Sequence, residues 1–306
     1  MKILFLLVQT LLIIAIAPFL SGLIKKIKNN LRMRRGAPVL QPYYNLSKLF
    51  MKDSVVSENS SWIFKVTPYM ILGSIIVAAF LLPVFSSGIS ANFLGDFFLL
   101  IFILALGRFF LSLAGLDAAS PFGGMGSSRE MFISSLVEPV VFLAIFAVSL
   151  NAKSTSLDII SGLHALKLSS LIAAAAIFTV MVAETSRLPV DNQETHLELT
   201  MIHEATVLEY SGRSLGLIEL ASHIKQIIFF TILANVILPF GLPGGLCGIS
   251  PVAGLGIYAL KLLALCLITA VLEISIAKMR LFRVVDFFSF SFVLAIMAVI
   301  VSAMGL

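Results

Sequence analysis

Residues Glu184 to Gly212, reading ETSRLPVDNQETHLELTMIHEATVLEYSG, concentrate ionisable side chains in an otherwise apolar chain. The stretch holds Glu184, Asp191, Glu194, Glu198, Glu204 and Glu209, six of the sixteen Asp and Glu residues of the protein. Pro189 has no amide proton and its ring clashes with the preceding turn, so a regular helix cannot run straight through from Glu184. Beyond it Asp191, Glu194 and Glu198 stand at i, i+3 and i+7, which on a helix lines three carboxylates along one face. Like charges that close raise one another's pKa and can share protons, which is the chemistry of a relay. Arg187 is the expected counter-ion of Glu184 or Asp191. Apolar segments flank the stretch on both sides, so the expectation is a loop at one mouth of a helical bundle, where charge meets water. The plain alternative is a solvated acidic loop.

Charges within the apolar segments come next. An ionisable side chain at mid-bilayer costs about 2.5–3.5 kcal/mol on insertion scales, so such residues face a bundle interior or a water path. Glu138, about two turns into one span, and Lys261, near the middle of another, are expected to serve a proton path or coupling, against the alternative of satisfied structural pairs. Should Glu138, Glu184, Asp191, Glu194 and Glu198 converge, they form a hydrated chain from the loop into the membrane. Lys225 is expected to snorkel to the surface, and Lys225 and Glu273, near span ends, read equally well as structural. Arg108, Arg280 and Arg283 read as interfacial anchors.

The elements that must position these groups are legible in the composition. Hydrophobic residues make up 59% of 306 positions, charged residues 12%, and mean hydropathy is +1.07, which excludes an ordinary soluble domain. The fold class expected is all-α, a polytopic membrane protein forming a single transmembrane domain over 1–306. Apolar runs lie at about 3–24, 66–85, 94–115, 131–150, 169–186, 217–239, 252–274 and 284–304, each near the roughly 20 residues of a bilayer-spanning helix. Loops at about 25–65, 116–130, 187–216 and 275–283 carry nearly all the Lys and Arg. The positive-inside rule then places those loops in the cytoplasm, both termini outside, and the protein in the cytoplasmic (cell inner) membrane. Ala15-Ile16-Ala17 resembles a signal cleavage site, but Pro18 follows and the positive cluster lies after the run, which favours a retained helix.

Other classes fall away. Cys247 and Cys266 have no C-x-x-C spacing, so neither a zinc site nor an iron-sulfur cluster is expected in this chain. Of four histidines only His223 falls in a span, which argues against a bis-histidine haem. The net charge of +5 comes without a basic face carrying stacking aromatics, so nucleic acid is discounted. Gly123-Gly124-Met125-Gly126-Ser127-Ser128 precedes a helix but lacks the Lys of a phosphate-binding loop, and backbone flexibility is the reading taken. No internal repeat is visible, which weakens a stand-alone alternating-access carrier.

E-T-S-R-L-P-V-D-N-Q-E, then Glu198 and Glu209-Tyr210-Ser211-Gly212, resembles the signature loop of the subunit 1 family of respiratory complex I, a membrane component shared by group 4 nickel-iron hydrogenases. RMRRGAPVLQPYYNLSKLF, from Arg32, is similar to another loop of that family, and Glu138 matches a family glutamate. The complex I pattern has Glu where this chain has His196, and THLELTMIHEATVLEYSGR instead resembles the hydrogenase branch, of the hydrogenase-4 component C and formate hydrogenlyase type. The resemblance implies a membrane anchor and coupling subunit with no redox centre of its own. The nickel-iron centre and iron-sulfur clusters would sit in partners: hydrogenase large and small subunits, iron-sulfur subunits and antiporter-like membrane subunits. It implies coupling roles for Glu138, Glu184, Arg187, Asp191, Glu194, Glu198, Glu209 and Lys261, and docking roles for Arg34, Arg35, Gln41, Pro42, Tyr43 and Tyr210. The corresponding component of complex I, an NADH-quinone oxidoreductase, and an independent ion or solute carrier are the competing functions.

Overall fold

The structure is a computed structural model that describes residues 2–57, 60–84, 96–162, 167–191, 201–238, 251–279 and 281–305, without side chains at 2–5, 251–253 and 281–282. In chain order its helices are α1 (Lys2–Leu31), α2 (Gln41–Phe50), α3 (Trp62–Leu81), α4 (Phe97–Asp117), α5 (Pro121–Ala152), α6 (Leu157–Ser161), α7 (Leu168–Glu184), α8 (His203–Val207), α9 (Gly212–Thr231), α10 (Pro251–Ser275) and α11 (Leu281–Ala303). A π-helical turn, Ile232–Ile237, continues α9. No β-strand occurs among the described residues. Seven helices are long and apolar enough to cross a membrane, and the protein is an all-α integral membrane protein. The eighth expected span is α7, whose 17 residues fall short of the others.

α7 is short because it stops inside the protein. Ser186 takes a left-handed φ of 51°, Arg187 N–H donates to Val182 O at 2.9 Å and Ser186 N–H to Ala183 O at 2.9 Å, a Schellman ending. The segment after it does not reach water: Thr185, Ser186, Val190 and Asp191 are all buried. The expected solvated loop is thus, in its first part, irregular backbone packed within the bundle, a placement tolerated at depth only where protein or a lined cavity satisfies it. Here Asp191 N–H donates to Arg187 O at 3.1 Å, and Met279 N–H to Pro189 O at 2.9 Å.

α5 corrects a second expectation. It begins at Pro121, ten residues before the expected 131, because Ser120 Oγ caps it by accepting from Gly123 N–H at 3.1 Å and proline is tolerated in the first turn. The glycine-rich segment is therefore helix, and its small residues serve packing. A Cβ at Gly126 would stand 2.8 Å from Thr206 N, so α8 sits directly on this face of α5. With 32 residues α5 is about 48 Å long, well beyond a hydrocarbon core of about 30 Å.

α9 is the central helix. Of its most apolar window 78% is buried, against 28% for α11, and it packs on α1, α2, α3 and α7. Its start is fastened by the Glu209-Tyr210-Ser211-Gly212 motif. Tyr210 stacks on Phe64 with ring centroids 4.0 Å apart and donates to Phe64 O at 2.9 Å. Burial pushes its hydroxyl above the ordinary tyrosine range, so it stays a donor. Val55 N–H donates to Ser211 Oγ at 2.8 Å, and Gly212, at φ 51°, lies against Asp53 O where a side chain would not fit. Asp117 Oδ2 accepts from Ser61 and Phe64 N–H at 2.9 and 3.2 Å and completes the strap over the start of α3.

The far end of the bundle is closed by side chains bonded to helix-end carbonyls. Gln9 donates to Leu82 O at 2.6 Å, Asn235 to Pro83 O and Val84 O at 3.2 and 3.1 Å, and Lys261 to Ala234 O and Leu238 O at 2.7 and 2.9 Å. The π turn exposes those last carbonyls of α9, and a cation at a helix C-terminus also answers the macrodipole.

Candidate functional site

Two connected sets of buried ion pairs cross the bundle. In the first, Arg108 of α4 donates through Nη2 to Glu138 Oε1 of α5 at 2.9 Å and through Nη1 to Glu184 Oε1 of α7. Lys225 of α9 meets the other oxygen of Glu184 at 2.6 Å. In the second, Arg187 bonds Glu273 Oε1 of α10 through Nη1 and Gln226 Oε1 of α9 through Nη2 at 3.0 Å. Lys28 of α1 meets Glu273 Oε2 at 3.1 Å, and Ser21, two turns earlier on the same face, donates to Gln226 Oε1 at 2.9 Å. The sets meet where Lys225 and Gln226 adjoin on α9 and where Arg187 follows the end of α7. A third pair, Lys278 Nζ to Asp191 Oδ1 at 3.0 Å, lies beside them, and Asp191 Oδ2 accepts from Ile202 and His203 N–H at 3.2 and 3.1 Å.

Each buried charge costs several kcal/mol of lost hydration, and such pairs persist only where geometry and further hydrogen bonds offset that. The offset here is a cation on either side of each deeply buried carboxylate: Arg108 and Lys225 for Glu184, Arg187 and Lys28 for Glu273. The expected run of neighbouring carboxylates, Asp191, Glu194 and Glu198, lies mostly outside the described residues. Glu138 differs from the other two: its side chain is 42% exposed against 3% for Glu184.

A cavity of about 40 Å³ lies against Arg108, Gly107, Glu184, Ser186 and Lys225, larger than the roughly 10–15 Å³ one water needs. A larger one, about 260 Å³, opens among α1, α2, α8 and α9 and is lined by Lys25, Asn45, Glu204, Glu219 and His223. His203, Ile218 and Ser222 line both, so the two share a wall. Arg108 Nε, Arg187 Nε and Gln226 Nε2 are buried without a hydrogen-bond partner among the described residues, and Arg108 lines the smaller cavity, where water could serve it. The arrangement can therefore hold water beside exchangeable ion pairs.

Of the expected coupling residues, Glu138, Glu184 and Arg187 come together here and Asp191 lies alongside. Arg187 is the counter-ion of neither expected partner: it takes Glu273, leaving Glu184 to Arg108 and Lys225 and Asp191 to Lys278. Glu194, Glu198 and His196 lie outside the described residues. Glu209 is half-buried between α8 and α9 and forms no ion pair among the described residues. Lys261 stands apart, on the carbonyls at the far end of α9. Among the docking residues, Arg34 and Arg35 are exposed, Gln41 bonds Asn45 at 3.0 Å, Pro42 is buried, Tyr43 donates to Ala15 O, and Tyr210 is buried in the strap. Three residues of the network read from the sequence as anchors or as structural, Arg108, Lys225 and Glu273, and a fourth, Lys28, falls in the positive cluster after the first run. For Arg108 a signal is available, since nine residues separate it from the end of α4, about 14 Å along the axis, beyond easy snorkelling.

Comparison with known proteins agrees with this architecture. The family described as NADH dehydrogenase matches residues 1–303. Formate hydrogenlyase subunit 4 of Escherichia coli K12 is 33% identical over 288 residues, covering 92% of this chain and 92% of that protein. Hydrogenase-4 component C of the same organism is 31% identical over 282 residues, 91% of this chain and 89% of that one. Component H of the NADH-quinone oxidoreductase of Burkholderia vietnamiensis is 26% identical over 217 residues, 66% of this chain and 60% of that one. A chain in the structure of the membrane-bound sulfane sulfur reductase, an archaeal respiratory membrane complex, shares the fold, with a TM-score of 0.80 at 22% identity over 97% of this chain and 99% of that one.

Proposed function

The chain belongs to the NADH dehydrogenase family, and from that membership we propose that it is the membrane anchor and coupling subunit of an energy-converting nickel-iron hydrogenase of the formate hydrogenlyase or hydrogenase-4 type. It is a membrane subunit of a respiratory-type complex; the hydrogenase assignment is carried by one observation. The hydrogenase-type relatives align over nearly the whole chain, whereas the NADH-quinone oxidoreductase relatives align over about two thirds of it. In this reading the exposed Arg34 and Arg35, with α2, meet the hydrogenase and iron-sulfur subunits on the cytoplasmic side of the cell inner membrane, and antiporter-like membrane subunits adjoin within the bilayer. The nickel-iron centre and clusters belong to those partners.

The ion pairs support a coupling mechanism in this reading. Electron transfer in the partners shifts the segment around residues 185–191, and Arg187 within it and Glu184 beside it, one member of each set, feel that shift first. A carboxylate flanked by two cations moves charge by exchanging partners, and the water-sized cavity beside Lys225 gives a proton somewhere to go. Purifying the tagged protein in mild detergent and determining nickel, iron and co-purifying chains together tests the assignment. Nickel with a hydrogenase large subunit is expected. Iron without nickel beside NADH-oxidising chains would overturn it in favour of complex I, and a metal-free lone protein in favour of a carrier.

A further inference from the structure

Resting on that reading, we propose that Arg108 is a positioning residue that makes the proton occupancies of Glu138 and Glu184 depend on one another. One guanidinium holds both carboxylates, Nη2 on Glu138 at 2.9 Å and Nη1 on Glu184, from a side chain only 10% exposed. The two carboxylates come from different helices and, among the described residues, are joined through it alone. Their circumstances are unequal: Glu184 is buried and also has Lys225, whereas Glu138 is partly exposed and pairs with Arg108 alone among the described residues.

The guanidinium cannot lose its own proton, so it acts only by choosing partners. When a proton bonds to a Glu138 carboxylate oxygen, that oxygen gives up its ion pair with Nη2 and the whole cation is left to Glu184. Glu184 then has two full cations for one charge, which loosens Lys225 toward the cavity they share. Loss of the proton from Glu138 reverses each step. Room for the motion is present: Gly107 and Arg108 line that cavity, and Ser134 Oγ, 3.4 Å from Nη1, offers a neutral hydrogen-bond partner. A lysine carries the same charge on a single nitrogen and cannot present a separate nitrogen to each carboxylate in a planar fork.

The test uses the complete complex in liposomes, reading ions moved per hydrogen turned over across a range of pH. R108K is expected to lower that ratio roughly fivefold, the size of a coupling of about 1 kcal/mol between contacting residues, and to displace its pH profile. E138Q combined with R108K should do no more harm than the worse single variant. E138D keeps the charge but withdraws it from Nη2, and should displace the profile as R108K does, so the question stands even if R108K fails to assemble. A pH profile of R108K or E138D superimposed on that of the unaltered complex, or losses that multiply in the double variant, would overturn the proposal. E184Q separates the two levels: if it lowers the ratio while R108K does not, the role of Arg108 alone is wrong; if it too leaves the ratio intact, the coupling reading fails.

Discussion

The two ends of the bundle bury polar groups by different means. At the far end Gln9, Asn235 and Lys261 donate to main-chain carbonyls at the ends of α3 and α9. Around Glu184 and Glu273 side chains of six helices and one buried segment meet as charge pairs, with Arg108 and Arg187 each serving two partners. A carbonyl at a helix end has one position and no charge to lose, so the far end has a single arrangement. A carboxylate between two cations has a choice of ion-pair partners, which the proposed coupling uses. The proposed function asks fixity of the first design and switching of the second, although both sit in the same bundle.

The largest effect that would break this contrast is expected from E273A. It leaves Arg187 and Lys28 buried without their carboxylate, and removal of one partner of a buried pair costs about 3–5 kcal/mol. Loss of monodisperse protein on size-exclusion chromatography in detergent is the expected readout. K261M removes a charged donor from two carbonyls, for which about 1.5–3 kcal/mol per bond is the ordinary scale, and should lower the melting temperature. G126A sharpens the picture of the walls: its Cβ would press on the backbone at Thr206, and about 1–3 kcal/mol of overpacking should appear as a lower melting temperature. The smallest effect is expected from Y210F, about 0.5–1.5 kcal/mol for one hydrogen bond, with the ring stack on Phe64 retained.

Much of the fold is legible in the sequence because membrane insertion demands long apolar runs. The helix starts are less so. α5 begins ten residues ahead of its apolar run, where three glycines lower helix propensity locally, although Ser120-Pro121 is a capping signal; packing against α8 outweighs the propensity. Within the site, Glu138, Glu184, Arg187 and Asp191 stand out in the sequence as charges in apolar surroundings. Their partners do not, because pairing is set by which helices adjoin. Arg187 has carboxylates close by in sequence, yet the Schellman turn at Ser186 redirects it to Glu273, 86 residues away. Lys28 hides in a basic cluster that also reads as a topology signal; only its place two turns from Ser21 on one face of α1 sets it apart.

The most direct test of the central claim is the number of ions moved per hydrogen turned over by the purified complex in liposomes, compared between E184Q and K261M. A ratio that falls in E184Q and holds in K261M is predicted, since only the first removes an exchangeable ion pair. An unchanged ratio in E184Q, or an equal fall in both, would contradict the assignment of coupling to the charge network.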